Sequence, residues 1–315
     1  MKIYDYLPDP IAKDGQTVVA LGNFDGVHRG HRQLIRRSVQ IAKEMVCQSV
    51  VVTFEPHPLK VLQPDRAPDL LLTNAKKAEM IRKLGVDHLV FLPFTRELAS
   101  LSPEDFIALL CQKLRPLCIV VGFNNSFGQG GRGKPELLRF LGKRWGFEVE
   151  VIPPQNYKQE LISSSNVRKA LGEGDISRAY HLLGYRPLLE GKVISGDGRG
   201  RKLGFPTANL EIPAGILIPK AGVYACRVRW GDDSGQGVIN IGKRPTFGPQ
   251  EETVVELHLL DFQGDLYGKL LEVELCQFLR CERKFETPGD LIAQIKDDVQ
   301  RARRVLGDSR QFYQA

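Results

Sequence analysis

The apolar pattern of this 315-residue chain changes its rhythm once, at LLGYRP (182–187), and that change calls for two folds rather than one. Before it, strand and helix signals alternate. TVVALG (17–22) is a short apolar run closed by glycine, and HRQLIRRSVQIAKEM (31–45) carries apolar residues at helical spacing. SVVVTF (49–54) is β-branched enough for a buried strand. A helix near 74–84, a strand DHLVFL (87–92) and a helix opened by Ser102-Pro103 follow, then LCIVVG (117–122), a helix near 135–145 and FEVEVI (147–152). Strands separated by helices predict βαβ units, hence a parallel sheet covered on both faces. After the change, LLEGKVI, GVYACRV, QGVINIG, TVVELHLLDF and LLEVELCQFL succeed one another with Gly, Pro and Asp turns between them. Only PGDLIAQIKDDVQRARRVL (288–306) reads as a helix there, which predicts an antiparallel sheet or small barrel. The expected class is α/β plus all-β, with domains at 1–186 and 187–315, each long enough to bury its own core.

Charge divides at the same place. Residues 1–186 hold 26 basic and 19 acidic side chains, whereas residues 187–315 hold 18 of each, so the net +7 belongs wholly to the first part. Such an excess attracts anions. No apolar run approaches the roughly 18 residues that a membrane helix needs. The opening MKIYDYLPDPIAKDG has no apolar stretch of a secretory signal. Six cysteines (47, 111, 118, 226, 276 and 281) are scattered, mostly inside apolar runs, with no CxxC pair. Buried reduced thiols in a cytoplasmic protein are expected from that usage.

Residues 22–31 read GNFDGVHRGH, between the first strand and the first helix. In open parallel sheets ligands bind beyond the carboxyl ends of strands. Gly22, Gly26 and Gly30 let backbone approach a ligand, and His28 and His31 face a helix N-terminus, where free N–H groups and the dipole favour phosphate. Two imidazoles there can donate to charge developing on a phosphoryl oxygen. An isolated HxxH also fits a metal pair or ordinary surface histidines. Three further stretches carry polar chemistry. TFEPHP (53–58) sets His57 between two prolines in an exposed turn, and VGFNNSFGQGGRG (121–133) is a glycine-rich loop after a strand. ISSSNVR (162–168) places Ser163, Ser164 and Ser165 at a helix start with the Arg168 guanidinium behind them, as a phosphate site or as a plain cap.

The second half has its own constellation. GKVISGDGRGRKLGFPTAN (191–209) runs from a strand through a basic loop with Gly196, Gly198, Gly200 and Gly204 into Pro206, Thr207 and Asn209. Thr207 and Asn209 share one face if they lie on a strand. Their neutral oxygens suit a magnesium ion carried by ATP phosphates. The arginines of the loop alone would equally fit nucleic acid, but the zero net charge of this half argues against it. In VVELHLLDF (254–262), alternation puts Glu256, His258 and Leu260 on one face, and a carboxylate facing a ligand can take a proton from a hydroxyl.

The decameric segment 22–31 contains His-x-Gly-His, which resembles the nucleotidyltransferase signature. Its extended form is similar to the adenylyltransferase module of prokaryotic bifunctional riboflavin kinase/FAD synthetases. PTAN with its preceding loop, ETVVELHLLDF, NIGKRPTFG (240–248) and FLRCERKF (278–285) resemble the kinase module of the same family. The resemblance covers about residues 15–305 and implies a Rossmann-like nucleotidyltransferase sheet followed by a six-stranded Greek-key barrel with a C-terminal helix. It implies that ATP phosphorylates riboflavin to FMN and that a second ATP adenylylates FMN to FAD. By the same resemblance, His28, His31, Asn124 and Arg168 serve adenylyl transfer, and Gly22, Phe24, Asp25, Gly30, His57, Ser163, Ser164 and Ser165 hold its substrates. Glu256 is the base of the kinase, Gly196, Gly204, Pro206, Thr207 and Asn209 bind its nucleotide, and Thr207 and Asn209 hold Mg²⁺. Asn125 departs from the family pattern, where an aromatic residue is usual. Expected partners are these small molecules alone, with no nucleic acid and no membrane, in a monomer or weak homo-oligomer.

Overall fold

Each rhythm folds into its own sheet. In a computed structural model of the chain, residues 1–8, 11, 16–196, 200, 203–244 and 252–307 are described. Contacts divide the chain into one unit of residues 1–70 and 74–163 and a second of residues 71–73 and 164–315.

The first unit comprises β1 (Lys2–Tyr4), β2 (Thr17–Leu21), α1 (Arg29–Glu44), β3 (Gln48–Glu55), α2 (Pro58–Leu62), α3 (Asn74–Arg82) and β4 (His88–Pro93). It continues with α4 (Arg96–Ser100), α5 (Pro103–Leu114), β5 (Pro116–Gly122), α6 (Pro135–Trp145), β6 (Glu148–Ile152) and a small hairpin, β7 (Asn156–Tyr157) with β8 (Glu160–Leu161). Six strands form a sheet in the order β1-β4-β3-β2-β5-β6, every pairing parallel. All five residues of β2 are buried, as a strand covered on both faces requires. Val19, Leu21, Val50, Val52, Ile119 and Val121 pack on Phe106, Ile107, Leu110 and Leu114 of α5 and Leu138 and Leu141 of α6. On α1, Leu34, Ile35, Val39, Ile41 and Ala42 form the buried stripe of an amphipathic helix that contacts β2, β3 and β5. Helix α5 starts as its sequence predicts, with Pro103 at the first position and the Ser102 hydroxyl accepting from the Asp105 amide at 3.0 Å. The chain steps outward from β2 through β3 to β4 and then crosses to β5 and β6, so the strand order reverses between β2 and β5.

The second unit opens with a helix pair, α7 (Ser164–Glu173) and α8 (Ile176–Leu183). Its strands are β9 (Leu188–Ile194), β10 (Ala208–Glu211), β11 (Gly222–Trp230), β12 (Asp233–Arg244), β13 (Glu252–Leu259) and β14 (Leu270–Arg280), and α9 (Pro288–Gly307) follows. They close a barrel in the order β10-β13-β12-β11-β14-β9, antiparallel throughout. β11, β12 and β13 form a meander and β14 returns beside β11, which is a Greek key. Closure leaves no exposed strand edge. Helix α9 docks Ala302 and Leu306 onto Val223, Ala225, Val238 and Leu279, and burying a leucine of this kind contributes about 2 kcal/mol. Arg280 ties the helix down, with Nε 3.0 Å from both carboxylate oxygens of Asp298 and Nη2 at 2.8 Å.

Several expectations need correction. Strand β10 starts at Ala208, so Thr207 lies just before it, and β13 ends at Leu259, which puts Leu260 in the turn that follows. β1, α2, α4 and the β7–β8 hairpin are too short to leave a periodic signal. All six cysteines are unpaired, but only Cys118 and Cys226 are buried; Cys47, Cys111 and Cys276 are half-buried and Cys281 is exposed, because it follows the last barrel strand. Among the described residues, no helix is long and apolar enough to cross a membrane.

Candidate active sites

In the first unit the strand order reverses between β2 and β5, the place where open parallel sheets take ligands beyond their carboxyl ends, and two of the singled-out segments leave from those two strands. The loop after β2 is wound tightly. Phe24 (φ 47°), Gly26 (φ 77°) and Val27 (φ 35°) are all left-handed, a strained arrangement for Phe and Val. Gly22 donates to the Val52 carbonyl at 3.2 Å, and a Cβ there would meet the Phe24 ring at 3.1 Å. Phe24 and Asp25 are buried. The loop delivers His28 as the N-cap of α1, where its Nδ1 accepts from the His31 amide at 3.3 Å. That bond leaves the proton of a neutral His28 on Nε2, available to donate.

His28 and His31 stack, with ring centroids 3.5 Å apart and planes 19° from parallel, and Phe24 meets His31 edge-on at 5.3 Å. Burial pushes the His28 pKa down to about 4. Burial drives His31 well below its usual value too, and the neighbouring His28 and Lys77 push in the same direction. Two stacked imidazoles stay neutral at pH 7 and act as hydrogen-bond donors rather than cations. The Nδ1 of His31 is buried with no hydrogen-bond partner in the structure.

From the end of β5, Asn124 is exposed, with its Oδ1 3.4 Å from where a Gly122 Cβ would stand. Asn125 turns inward instead of presenting a stacking face. Its amide donates to the Gly122 carbonyl at 3.0 Å, its Nδ2 lies 3.4 Å from the Leu21 carbonyl, and its Oδ1 is buried without a partner. Phe127 is a core residue, 6.1 Å from the Phe106 ring and paired with Gly133, where a Cβ would come within 2.5 Å of the Phe127 ring. That part of the glycine-rich loop is built for packing. His57 follows β3, half-buried rather than exposed, and caps α2 by accepting from the Leu59 amide at 3.2 Å. Ser163 ends the first unit; Ser164 and Ser165 form the first turn of α7 and Arg168 lies one turn further on, in the second unit.

The barrel unit holds a cavity of about 370 Å³ beside α9. Strand register builds its polar wall. Asn209 pairs with Glu256 and Glu256 with Asn240, so three polar side chains cross β10, β13 and β12 in one row. Thr207 lines the same wall. His258 bonds the Pro206 carbonyl through Nδ1 at 2.9 Å and meets Phe205 edge-on at 5.5 Å, which pins the strap carrying Thr207 to β13. Gly196 and Gly200 permit close approach: a Cβ would stand 2.0 Å from Asn209 Nδ2 at the first and 3.0 Å from Thr207 Oγ1 at the second. Gly204 (φ 85°) takes the left-handed turn that leads into the strap. Gly198, Arg199, Arg201 and Lys202, and residues 245–248 of NIGKRPTFG, lie outside the described residues. Leu291, Ile295 and Asp298 of α9 close the cavity, and Glu282, Arg283 and Phe285 line it, with the Arg283 guanidinium 4.7 Å from the Phe285 ring. Sequence reasoning assigned no role to Asn240, Glu282, Arg283 or Phe285; the two stretches that carry them were the only signal. Among the described residues no cluster of three or more His, Cys, Asp or Glu side chains could cage a metal.

A doubly wound sheet with neutral histidines at its switch point, joined in one chain to a Greek-key barrel with a Thr-Asn-Glu wall, defines a two-module transferase of the nucleotide-using class. Family models agree for both modules: FAD synthetase over residues 11–166 and riboflavin kinase over residues 183–306. The chain is 40% identical to a bifunctional riboflavin kinase/FMN adenylyltransferase of Listeria monocytogenes, covering 95% of this chain and 96% of that one. It is 37% identical to the enzyme of the same description from Escherichia coli K12, covering 92% and 93%. A solved structure from Streptococcus pneumoniae, described as a macrolide-efflux protein, superposes with a TM-score of 0.85 at 32% identity, covering 94% of this chain and 99% of that one. The chain belongs to the bifunctional riboflavin kinase/FMN adenylyltransferase family.

Proposed function

We infer that the chain makes FAD in two steps, each in its own module, with the functional boundary at residues 186–187. In the barrel, the Glu256 carboxylate takes the proton of the riboflavin 5′-hydroxyl as that oxygen attacks the γ-phosphorus of ATP, and ADP leaves. Thr207 and Asn209 would hold the magnesium ion that accompanies ATP; it supplies charge neutralisation to the phosphates. The donor set fits such an ion, because two neutral oxygens beside the ATP phosphates suit a metal that keeps most of its waters. Gly196, Gly204 and Pro206 shape the strap that receives the nucleotide.

In the parallel-sheet module, a phosphate oxygen of FMN attacks the α-phosphorus of a second ATP and pyrophosphate leaves. His28 and His31 donate N–H groups to the phosphoryl oxygens as charge develops, and their neutrality keeps donors in place without an extra proton. Gly22, Phe24, Asp25, Gly30 and His57 line the substrates, Asn124 reaches the reacting phosphate, and Ser163, Ser164, Ser165 and Arg168 hold the triphosphate and steady the departing pyrophosphate. Both steps are transfers at phosphorus, so positioning and charge stabilisation carry the catalysis. None of these roles needs a residue from a second copy, so a monomer or weak homo-oligomer suffices. Unpaired cysteines and substrates of the cell interior fit a cytoplasmic enzyme with neither nucleic acid nor membrane as partner.

A single observation carries the reading: one chain holds both constellations, one at the strand-order reversal of the parallel sheet and the other in the wall of the barrel cavity. Incubating the purified chain with riboflavin, ATP and Mg²⁺ tests it. FMN should form with ADP, followed by FAD with pyrophosphate; supplied FMN and ATP that yield no FAD remove the second activity.

A further inference from the structure

We propose that Lys77 is a positioning residue of the adenylyl-transfer site, a buried ammonium that clamps the left-handed loop leading to the histidine pair; the inference rests on the reading of His28 and His31 given above. Lys76-Lys77 near the start of an exposed-looking helix would ordinarily be a solvated face. Yet Lys77 is only 3% exposed. An ammonium taken out of water loses its hydration and persists only where the fold compensates it. The compensation here comes from the active-site loop. Lys77 Nζ donates to the Asn23 carbonyl at 3.2 Å, lies 5.9 Å from the centre of the Phe91 ring, and is balanced by the Asp25 and Glu55 carboxylates. Lys76 is buried as well, but its ammonium pairs with Glu79 on its own helix at 2.8 Å rather than with the loop.

The Asn23 carbonyl is where the strained turn departs. It also accepts from the Thr53 hydroxyl at 2.9 Å, so β3 and α3 each hold the same oxygen. Immediately after it come the left-handed Phe24, Gly26 and Val27, and then His28. Left-handed non-glycine residues persist only where their surroundings over-determine them, and this pair of donors is part of what does so. A loop that relaxes moves His28 and, through the His28 Nδ1 bond to the His31 amide, the start of α1.

Lys77 acts on charge as well. The groups facing it are Asp25 from the loop, Glu55 from β3 and His31 from α1, with Lys76 and Glu79 beside it on α3. Burial does most to keep His31 neutral, and the positive charge of Lys77, after the neighbouring His28, adds to it by opposing a proton on that ring.

Lys77→Met and Lys77→Arg are compared with wild type in FMN adenylylation across pH, and in riboflavin phosphorylation by the same preparations. Lys77→Met should lower kcat for FAD formation about tenfold or more, with KM for ATP and FMN moving less than about threefold, since misplacement of a reacting group acts mainly on kcat. The acid limb of kcat/KM should shift to higher pH, and Lys77→Arg, which keeps the charge, should return that limb toward wild type. Riboflavin phosphorylation should not change. A Lys77→Met kcat within twofold of wild type and an unmoved acid limb overturn the proposal. Should Lys77→Met fail to fold by circular dichroism, Thr53→Val removes the other donor to the same carbonyl without stranding a charge; it should lower kcat about threefold or more, and unchanged turnover there overturns the clamp. A wild-type chain that makes no FAD breaks the underlying reading as well, whereas equal FAD formation by wild type and Lys77→Met breaks only the role of the lysine.

Discussion

The two sites are assembled in opposite ways. The histidine pair of the parallel-sheet unit comes from ten consecutive residues, 22–31, held in a strained and desolvated turn at one strand end. The cavity of the barrel takes its wall from Asn209, Asn240 and Glu256, which strand register brings into one row from three separate strands, from Thr207 on the strap before β10, and from a helix that follows the barrel strands. A contiguous site is rigid because its own backbone is locked. A register site is rigid because a closed barrel cannot slip by one residue without turning every side chain to the other face.

If that contrast is right, each site can be destroyed without the other. The largest effect should come from His28→Ala combined with His31→Ala: loss of two transition-state donors predicts a fall in FAD formation of about 10⁴-fold or more, with FMN still accumulating from riboflavin. Loss of both products in a folded variant breaks the independence of the two sites. Next comes Glu256→Ala, for which loss of a general base predicts a drop of about 10² to 10⁴ in riboflavin phosphorylation. Supplied FMN should still be adenylylated at the wild-type rate, and unchanged kinase turnover would remove Glu256 as the base.

The smallest effect concerns the desolvation of the histidine loop. Burial holds the His28 pKa at about 4 in the folded chain against 6.5 for a free imidazole, so the unfolded chain takes the proton first. The stability contributed by the neutral ring is therefore complete above pH 6.5 and lost as pH falls toward 4, to the extent of about 3 kcal/mol. The two tryptophans make this measurable, since Trp145 belongs to the first unit and Trp230 to the barrel. In Trp230→Phe, urea unfolding followed by Trp145 fluorescence should weaken across that window, and His28→Asn should flatten the slope. A slope that persists in His28→Asn assigns the loss to other groups.

The same contrast explains what could be read in advance. Helices α1, α5, α6 and α9 and the longer strands follow from apolar period, and the His28–His31 constellation from ten adjacent letters. Asn240 and Arg283 stayed hidden because only pairing and the docking of α9 bring them to Glu256, and neither leaves a local pattern. Lys77 stayed hidden because its burial contradicts its composition: a Lys-Lys pair on a nine-residue helix promises solvent, and only tertiary structure buries the two of them. Asn125 was legible as a departure from the family pattern, but its inward bond to the end of β2 was not.

The docking of α9 also sets an order of events during synthesis. A chain emerges from its N-terminus, and domains generally fold as they emerge. The sheet and histidine loop precede the barrel in the chain, whereas Leu291, Ile295 and Asp298, which close the barrel cavity, come after all six of its strands. The module that consumes FMN can therefore be shaped while the module that produces it still lacks a wall, so assembly runs in the reverse order of the chemistry.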